Sequence, residues 1–161
     1  MRDAGLDGVS GNADDASFSR TFDVTVNPVN DPPTLDPIPN PGAIDEDATA
    51  QTVNLSGISA GGGENQILTV TASSNNTGLI PAARVTYTSP GATGSITYQP
   101  VADQSGMARI TVTVRDAGLD GIAGNSDDAS VSRTFDVVVN PIQDRPVARN
   151  DAYNVVQVPR F

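Results

Sequence analysis

The sequence predicts an all-β chain organised around an antiparallel β-sandwich of about seven strands. Three observations carry that expectation. Runs rich in Val, Ile, Thr and Ser alternate apolar with polar residues, at the period of two that a half-buried strand requires. Clusters of Gly, Pro, Asn and Asp separate these runs, and turns draw on those residues because of their φ preferences and local hydrogen bonding. A long stretch of sequence also recurs at a spacing that suits one sandwich domain and is too long for a solenoid turn. With 4% aromatic residues, the core must come from Val, Ile, Leu and Ala.

The elements follow in order. An opening strand is expected over residues 34–38 and around Ile44, broken by Pro37, Pro39 and Pro41. Proline has no N–H to give a ladder, so this strand belongs at a sheet edge. Residues 49–55 (TAQTVNL) alternate well, and 67–73 (ILTVTAS), 84–88 (RVTYT) and 95–99 (SITYQ) follow. Residues 108–115 (ARITVTVR) alternate most strongly and place Ile110, Val112 and Val114 on one face. Residues 131–140 (VSRTFDVVVN) close the unit.

The repeat fixes the domain organisation. Residues 2–33 and 115–146 are related by an offset of 113 residues and agree at 24 of 32 positions. Residues 1–33 therefore read as the closing hairpin and linker of one repeat, residues 34–146 as a complete repeat, and 147–161 as the first strand of a following one. The sequence thus reads as a piece of a longer repeat protein. The apolar alternants Phe18, Phe22, Val24 and Val26 need a sheet to pack on. The segment carrying them is expected to be mobile or to pair with an exposed edge, that of another molecule included.

Composition excludes several functions. The chain has 17 Asp, 2 Glu, 9 Arg and no Lys, for a net charge of −10. Nucleic acid and anionic membrane surfaces are poor partners for such a polyanion, whereas short carboxylates suit oxygen-seeking cations such as Ca²⁺. Without Cys or His there are no disulfides, no Cys/His zinc sites, no thiol nucleophile and no Ser-His-Asp chemistry. Without Lys there is no Schiff base and no Lys–Asn isopeptide crosslink. A glycosidase cleft would use paired carboxylates beside aromatic walls, and the chain has no Trp, three Tyr and four Phe. No stretch approaches the roughly 18 apolar residues of a membrane span, and no signal peptide follows Met1. The expectation is a protein that is not an enzyme and does not insert into a membrane.

Residues 24–33 (VTVNPVNDPP) resemble the linker between cadherin repeats, in which a final strand runs into an acidic and Asn-rich stretch before Pro. Residues 110–118 (ITVTVRDAG) resemble the sixth strand of such repeats, and Asp45-Glu46-Asp47 resembles the acidic site near the start of one. The middle unit as a whole is similar to the bacterial cadherin-like and Ig-like tandem repeats of large surface proteins. The resemblance implies a non-catalytic module, a structural spacer or cell-adhesion unit, secreted or displayed at the cell surface. It further implies calcium at repeat junctions. Its partners would be neighbouring repeats of the same chain, with homophilic contacts or other surface proteins beyond them. The alternative is a carbohydrate- or protein-binding domain carried on a surface array.

Strand direction sorts the carboxylates. Seven alternating strands put the loop between strands six and seven at the end where the chain enters, beside Asp31. They put the Asp103 loop at the end where it leaves, near Asp144. A junction calcium site would therefore draw on Asp31 and Asp116, with Asp120, at the entry end, and on Glu46, Asp103 and Asp144 at the exit end. A second arrangement lies within residues 116–128 (DAGLDGIAGNSDD), where Asp116, Asp120, Asn125, Asp127 and Asp128 could surround a cation. The competing reading of that segment is a solvated turn whose Asp and Gly residues serve backbone geometry alone. The same segment occurs first as Asp3, Asp7, Asn12, Asp14 and Asp15.

Overall fold

A computed structural model describes residues 2–144. The chain is all-β, with seven strands and no helix among the described residues. The strands are β1 (Ile44–Asp45), β2 (Gln51–Leu55), β3 (Thr69–Ser74), β4 (Ala83–Thr86), β5 (Gly94–Tyr98), β6 (Gly106–Arg115) and β7 (Ser130–Asn140). They form two sheets, one in the order β1-β7-β6-β3 and the other β2-β5-β4. The interior between the sheets is filled by the inward residues of alternating strands, which is a β-sandwich.

β6 and β7 pair over ten residues, from Gly106↔Val139 to Arg115↔Ser130. Ile110, Val112 and Val114 of β6 are completely buried, and Phe135, Val137 and Val139 of β7 are nearly so. Leu55, Ile96 and Tyr98 face them from the second sheet, and the Tyr98 and Phe135 rings lie 6.3 Å apart between centroids. The outward positions of the same ladder are polar. Arg109 of β6 grips Asp136 of β7 with Nε at 2.7 Å and Nη2 at 3.1 Å, and the Thr113 and Ser132 hydroxyls are 2.8 Å apart.

The opening strand differs from its expectation. Residues 34–43 form no ladder beyond a single bridge, Thr34↔Ser59, because three prolines remove the donors that regular pairing needs. The segment is held instead by Thr34 N–H to Ser59 O and Asp36 N–H to Ser56 O, with Leu35 and Ile38 buried. It lies beside the chain following β2, then crosses to the other sheet, where Ile44–Asp45 joins β7. That pairing is parallel. One edge of the sandwich is thus not antiparallel, as two strands running in the same direction must be when they become neighbours. The remaining strands lie within about two residues of their predicted limits.

Residues 18–33 form no strand; the first copy of the repeated segment has one bridge, Arg2↔Ser17. Phe18, Phe22, Val24 and Val26 are exposed, at 63–85% of their full surface. Strand formation here needs a neighbouring sheet, which β7 has in β6 and residues 18–27 lack. The strand expected in 147–161 lies outside the described residues.

The interior makes a stability prediction. Phe135→Ala is expected to cost about 3–5 kcal/mol in denaturant unfolding, while Val138→Ala, on the outward face of the same strand, should stay within about 1 kcal/mol of wild type. Equal losses at the two positions would contradict the inward and outward assignment of β7.

Candidate metal centre

At the exit end, three loops converge. Asp47 follows β1, Asp103 follows β5, and Asp144 follows β7. One carboxylate oxygen from each lies within 4.8 Å of the other two, and among the described residues this is the only acidic group so gathered. All three side chains are exposed. The Asp103 N–H donates to Asp47 Oδ1 at 3.2 Å, which ties two of the loops together. Asp47 and Asp103 are also the only non-glycine residues with positive φ among the described residues, at 66° and 58°. Aspartate tolerates this left-handed conformation better than most residues, because its short side chain bonds locally.

Glu46 takes a different part from its neighbour. It is 7% exposed; its Oε1 accepts the Ile142 N–H at 2.8 Å, and its own N–H donates to Asn140 O at 2.9 Å. Glu46 fastens the departing chain, and Asp47 is the member of the triplet that reaches the cluster. The sequence alone drew attention to the triplet and chose Glu46. A turn after a two-residue strand, with Asp47 in the left-handed region, swings the next side chain towards the loops. Loss of hydration first, then the charges of Asp103, Glu46 and Asp47, push the Asp144 carboxyl above its ordinary value.

The entry end is arranged differently. Asp116 is 1% exposed, and its Oδ1 accepts Ala129 N–H at 2.7 Å and Gly118 N–H at 3.1 Å. Asn30 of the incoming linker donates to the Asp116 carboxylate at 3.4 Å and to Asp127 O at 2.9 Å, and Gln66 donates to Asn30 Oδ1. Asp31 lies alongside: its N–H donates to Glu64 Oε2 at 3.3 Å, and its carboxylate occupies the space where a Cβ on Gly62 would stand. Glu64 and Asn30 have no place in the sequence-based ligand set. Their signal was an acidic residue in the Gly-rich stretch 59–66, opposite a linker asparagine.

Asp120 points into its own loop. Its two oxygens take Ile122 N–H at 2.8 Å and Asn125 Nδ2 at 2.7 Å. Asp127 Oδ2 accepts Leu119 N–H at 3.0 Å, and Asn125 Oδ1 accepts Asp127 N–H at 3.4 Å. Asp128 Oδ2 accepts Gly124 N–H at 2.6 Å and meets Arg115 Nε at 3.1 Å. In this loop the carboxylates face N–H donors. The first copy repeats the pattern: Asp3 takes Gly5 and Ala16, Asp7 takes Val9 and Asn12, Asp14 takes Leu6, and Asp15 takes Gly11. Gly118, at φ +58°, is required where it stands, since a Cβ there would run into the Asp127 carboxylate.

Two outcomes follow. Asp116→Ala strips the acceptor from two buried N–H groups and should cost about 1–3 kcal/mol per unpaired donor at most, with Asp116→Asn losing less; urea melts of the three proteins check the order. At the exit end, Asp144 binds its proton more tightly folded than unfolded, so its ionisation weakens the fold as pH rises from the ordinary carboxylate range through the raised value. Asp144→Asn should therefore raise the melting temperature in calcium-free buffer at about pH 7, and the difference should vanish at about pH 3. A lower melting temperature for the variant at neutral pH would contradict the crowding.

No family model matches the sequence, and no curated protein matches it. Among solved structures, the chain is similar to the crystal structure of domains 4 and 5 of the S-layer protein SbsC, with a TM-score of 0.40 and 18% identity over 70% of this chain. The chain spans about half of that structure's length, 54%.

Proposed function

We propose that this chain is a non-catalytic module of an extracellular or cell-surface repeat protein, a spacer whose junctions are stiffened by calcium. The observation that carries the reading is the meeting of Asp47, Asp103 and Asp144 where the chain leaves the sandwich. Calcium takes six to eight oxygens, and three carboxylates supplemented by backbone carbonyls and water supply that kind of shell. Without a cation, three like charges share one small surface and push the exit loops apart.

The repeat extends this reading to both sides of a junction. Asp31 is the counterpart of Asp144, and Asn30 of Gln143, one period earlier. Asp31 is therefore the residue that would join the counterparts of Asp47 and Asp103 in a preceding copy. It also sits against Glu64 on the entry face of this sandwich. A junction built this way draws carboxylates from both modules and from the linker, so that one cation resists bending between them.

Thermal unfolding of the whole chain with and without calcium tests the proposal. For an extracellular-grade site with a dissociation constant of about 0.1–1 mM, 10 mM calcium should stabilise by roughly 1–3 kcal/mol. Asp103→Asn should remove most of that gain while leaving the calcium-free melt unchanged or higher. An identical melt in calcium, in magnesium and in chelator would sink it.

A further inference from the structure

We infer that Glu46 is a positioning residue: it latches the departing chain so that Asp144 arrives beside Asp47 and Asp103, and it is not itself a ligand of the exit site. Its bearing on calcium rests on the junction reading proposed above; the latch needs no cation. A single tight turn gives the two neighbouring carboxylates different tasks. Ala48 N–H donates to Asp45 O at 3.2 Å, and Asp47, third in the turn, has a φ of 66°, as turns of type II require at that position. Asp47 therefore meets Asp103, whose N–H reaches its Oδ1 at 3.2 Å. Glu46, second in the turn and 7% exposed, meets the strand that leaves. The last backbone pair of the parallel ladder is Asp45↔Asn140, and Glu46 N–H continues it by donating to Asn140 O at 2.9 Å. In a further rung Ile142 N–H would donate to the Glu46 carbonyl. The turn carries that carbonyl away, and Glu46 Oε1 accepts the Ile142 N–H in its place at 2.8 Å.

Chain length shows what this one bond does for the site. Asp144 lies two residues past Ile142 and four past Asn140. With Ile142 held, Asp144 stays within roughly 7 Å of a fixed point; with Ile142 released, the tether runs from Asn140 and reaches roughly 14 Å. The volume open to the Asp144 carboxylate then grows about eightfold, and its effective concentration at Asp47 and Asp103 falls by the same factor. Glu46 stands outside the ligand group itself. The oxygens within 4.8 Å of one another come from Asp47, Asp103 and Asp144, and Glu46 Oε1 is already engaged. The task assigned to Glu46 is that of a hydrogen-bond acceptor, which the amide oxygen of a glutamine performs equally well.

Two measurements on the whole chain compare wild type with Glu46→Gln and Glu46→Ala. In calcium-free buffer, hydrogen exchange of the Ile142 amide should be slowed in wild type and in Glu46→Gln, and should approach the open-chain rate in Glu46→Ala. Val112 and Val137 amides, protected in all three, report that the sandwich is intact. Calorimetric titration with calcium should find Glu46→Gln within about threefold of wild type, the effect of one lost neighbouring charge, and Glu46→Ala roughly eightfold weaker again. Free exchange of Ile142 in wild type would overturn the latch, and equal calcium affinity in the two variants would overturn the positioning. A loss beyond roughly tenfold in Glu46→Gln, with Ile142 still protected, would make Glu46 a ligand and overturn the assignment. Should Glu46→Ala lose its core protection, Glu46→Gln still separates acceptor from ligand. A wild type that gives no calcium heat removes the junction reading, and Ile142 exchange then decides the latch alone: protection lost in Glu46→Ala supports it, protection unchanged overturns it.

Discussion

The long ladder between β6 and β7 is the constraint on which the rest of the molecule depends. It joins ten residue pairs, and its inward side supplies Ile110, Val112, Val114, Phe135, Val137 and Val139 to a core with few aromatic rings. Small β-branched residues bury well only when strands keep strict alternation, because a slip of one residue would turn all six outward. Both chemically interesting regions are attached to the ends of this ladder. Asp116 and the loop to Ala129 connect the two strands at the entry end. At the exit end β6 begins just after Asp103, and β7 runs on to Ile142 and Asp144.

A chain with net charge −10 must find uses for its carboxylates, and this one separates them into two kinds. In the loop after β6, Asp116, Asp120, Asp127 and Asp128 each accept a backbone N–H, and the turn is built around them. Such charge-assisted bonds contribute more than neutral ones, typically about 1.5–3 kcal/mol each. Asp47, Asp103 and Asp144 face one another instead, with a single N–H between Asp103 and Asp47. The distinction is between carboxylates that each accept at least one donor, although Asp128 Oδ1 is buried without a partner, and carboxylates that face one another across a shared surface.

Much of the fold was legible because strand alternation is local and periodic. Ile110, Val112 and Val114 could be placed on one face from spacing alone, and alternating strand direction suffices to bring Asp103 and Asp144 to the same end. What escaped the sequence was non-local. The prolines at 37, 39 and 41 marked an edge but could not show that the segment would cross between sheets and pair in parallel with β7. The choice of Asp47 over Glu46 depended on one backbone turn, and Glu64 reached Asp31 through a loop with no periodic pattern to read.

The two copies of the repeated segment separate what a sequence encodes locally from what it encodes through its neighbours. The loops 3–16 and 116–129 share most of their internal hydrogen bonds although one rests on a sandwich and the other does not. The bonds they share span at most 13 residues, so the loop carries most of its own instructions, with Asn30 of the linker added only at the second copy. The strands that follow share nine of eleven residues and differ completely in outcome, since a strand is stabilised by cross-strand partners that lie elsewhere. The loop is formed by its own residues, whereas the strand after it forms only against a partner strand. Whether such a strand forms is decided by the sheet edge it meets, and for β7 that edge is β6, where Arg109, Thr113 and the apolar row supply the partners its own sequence lacks.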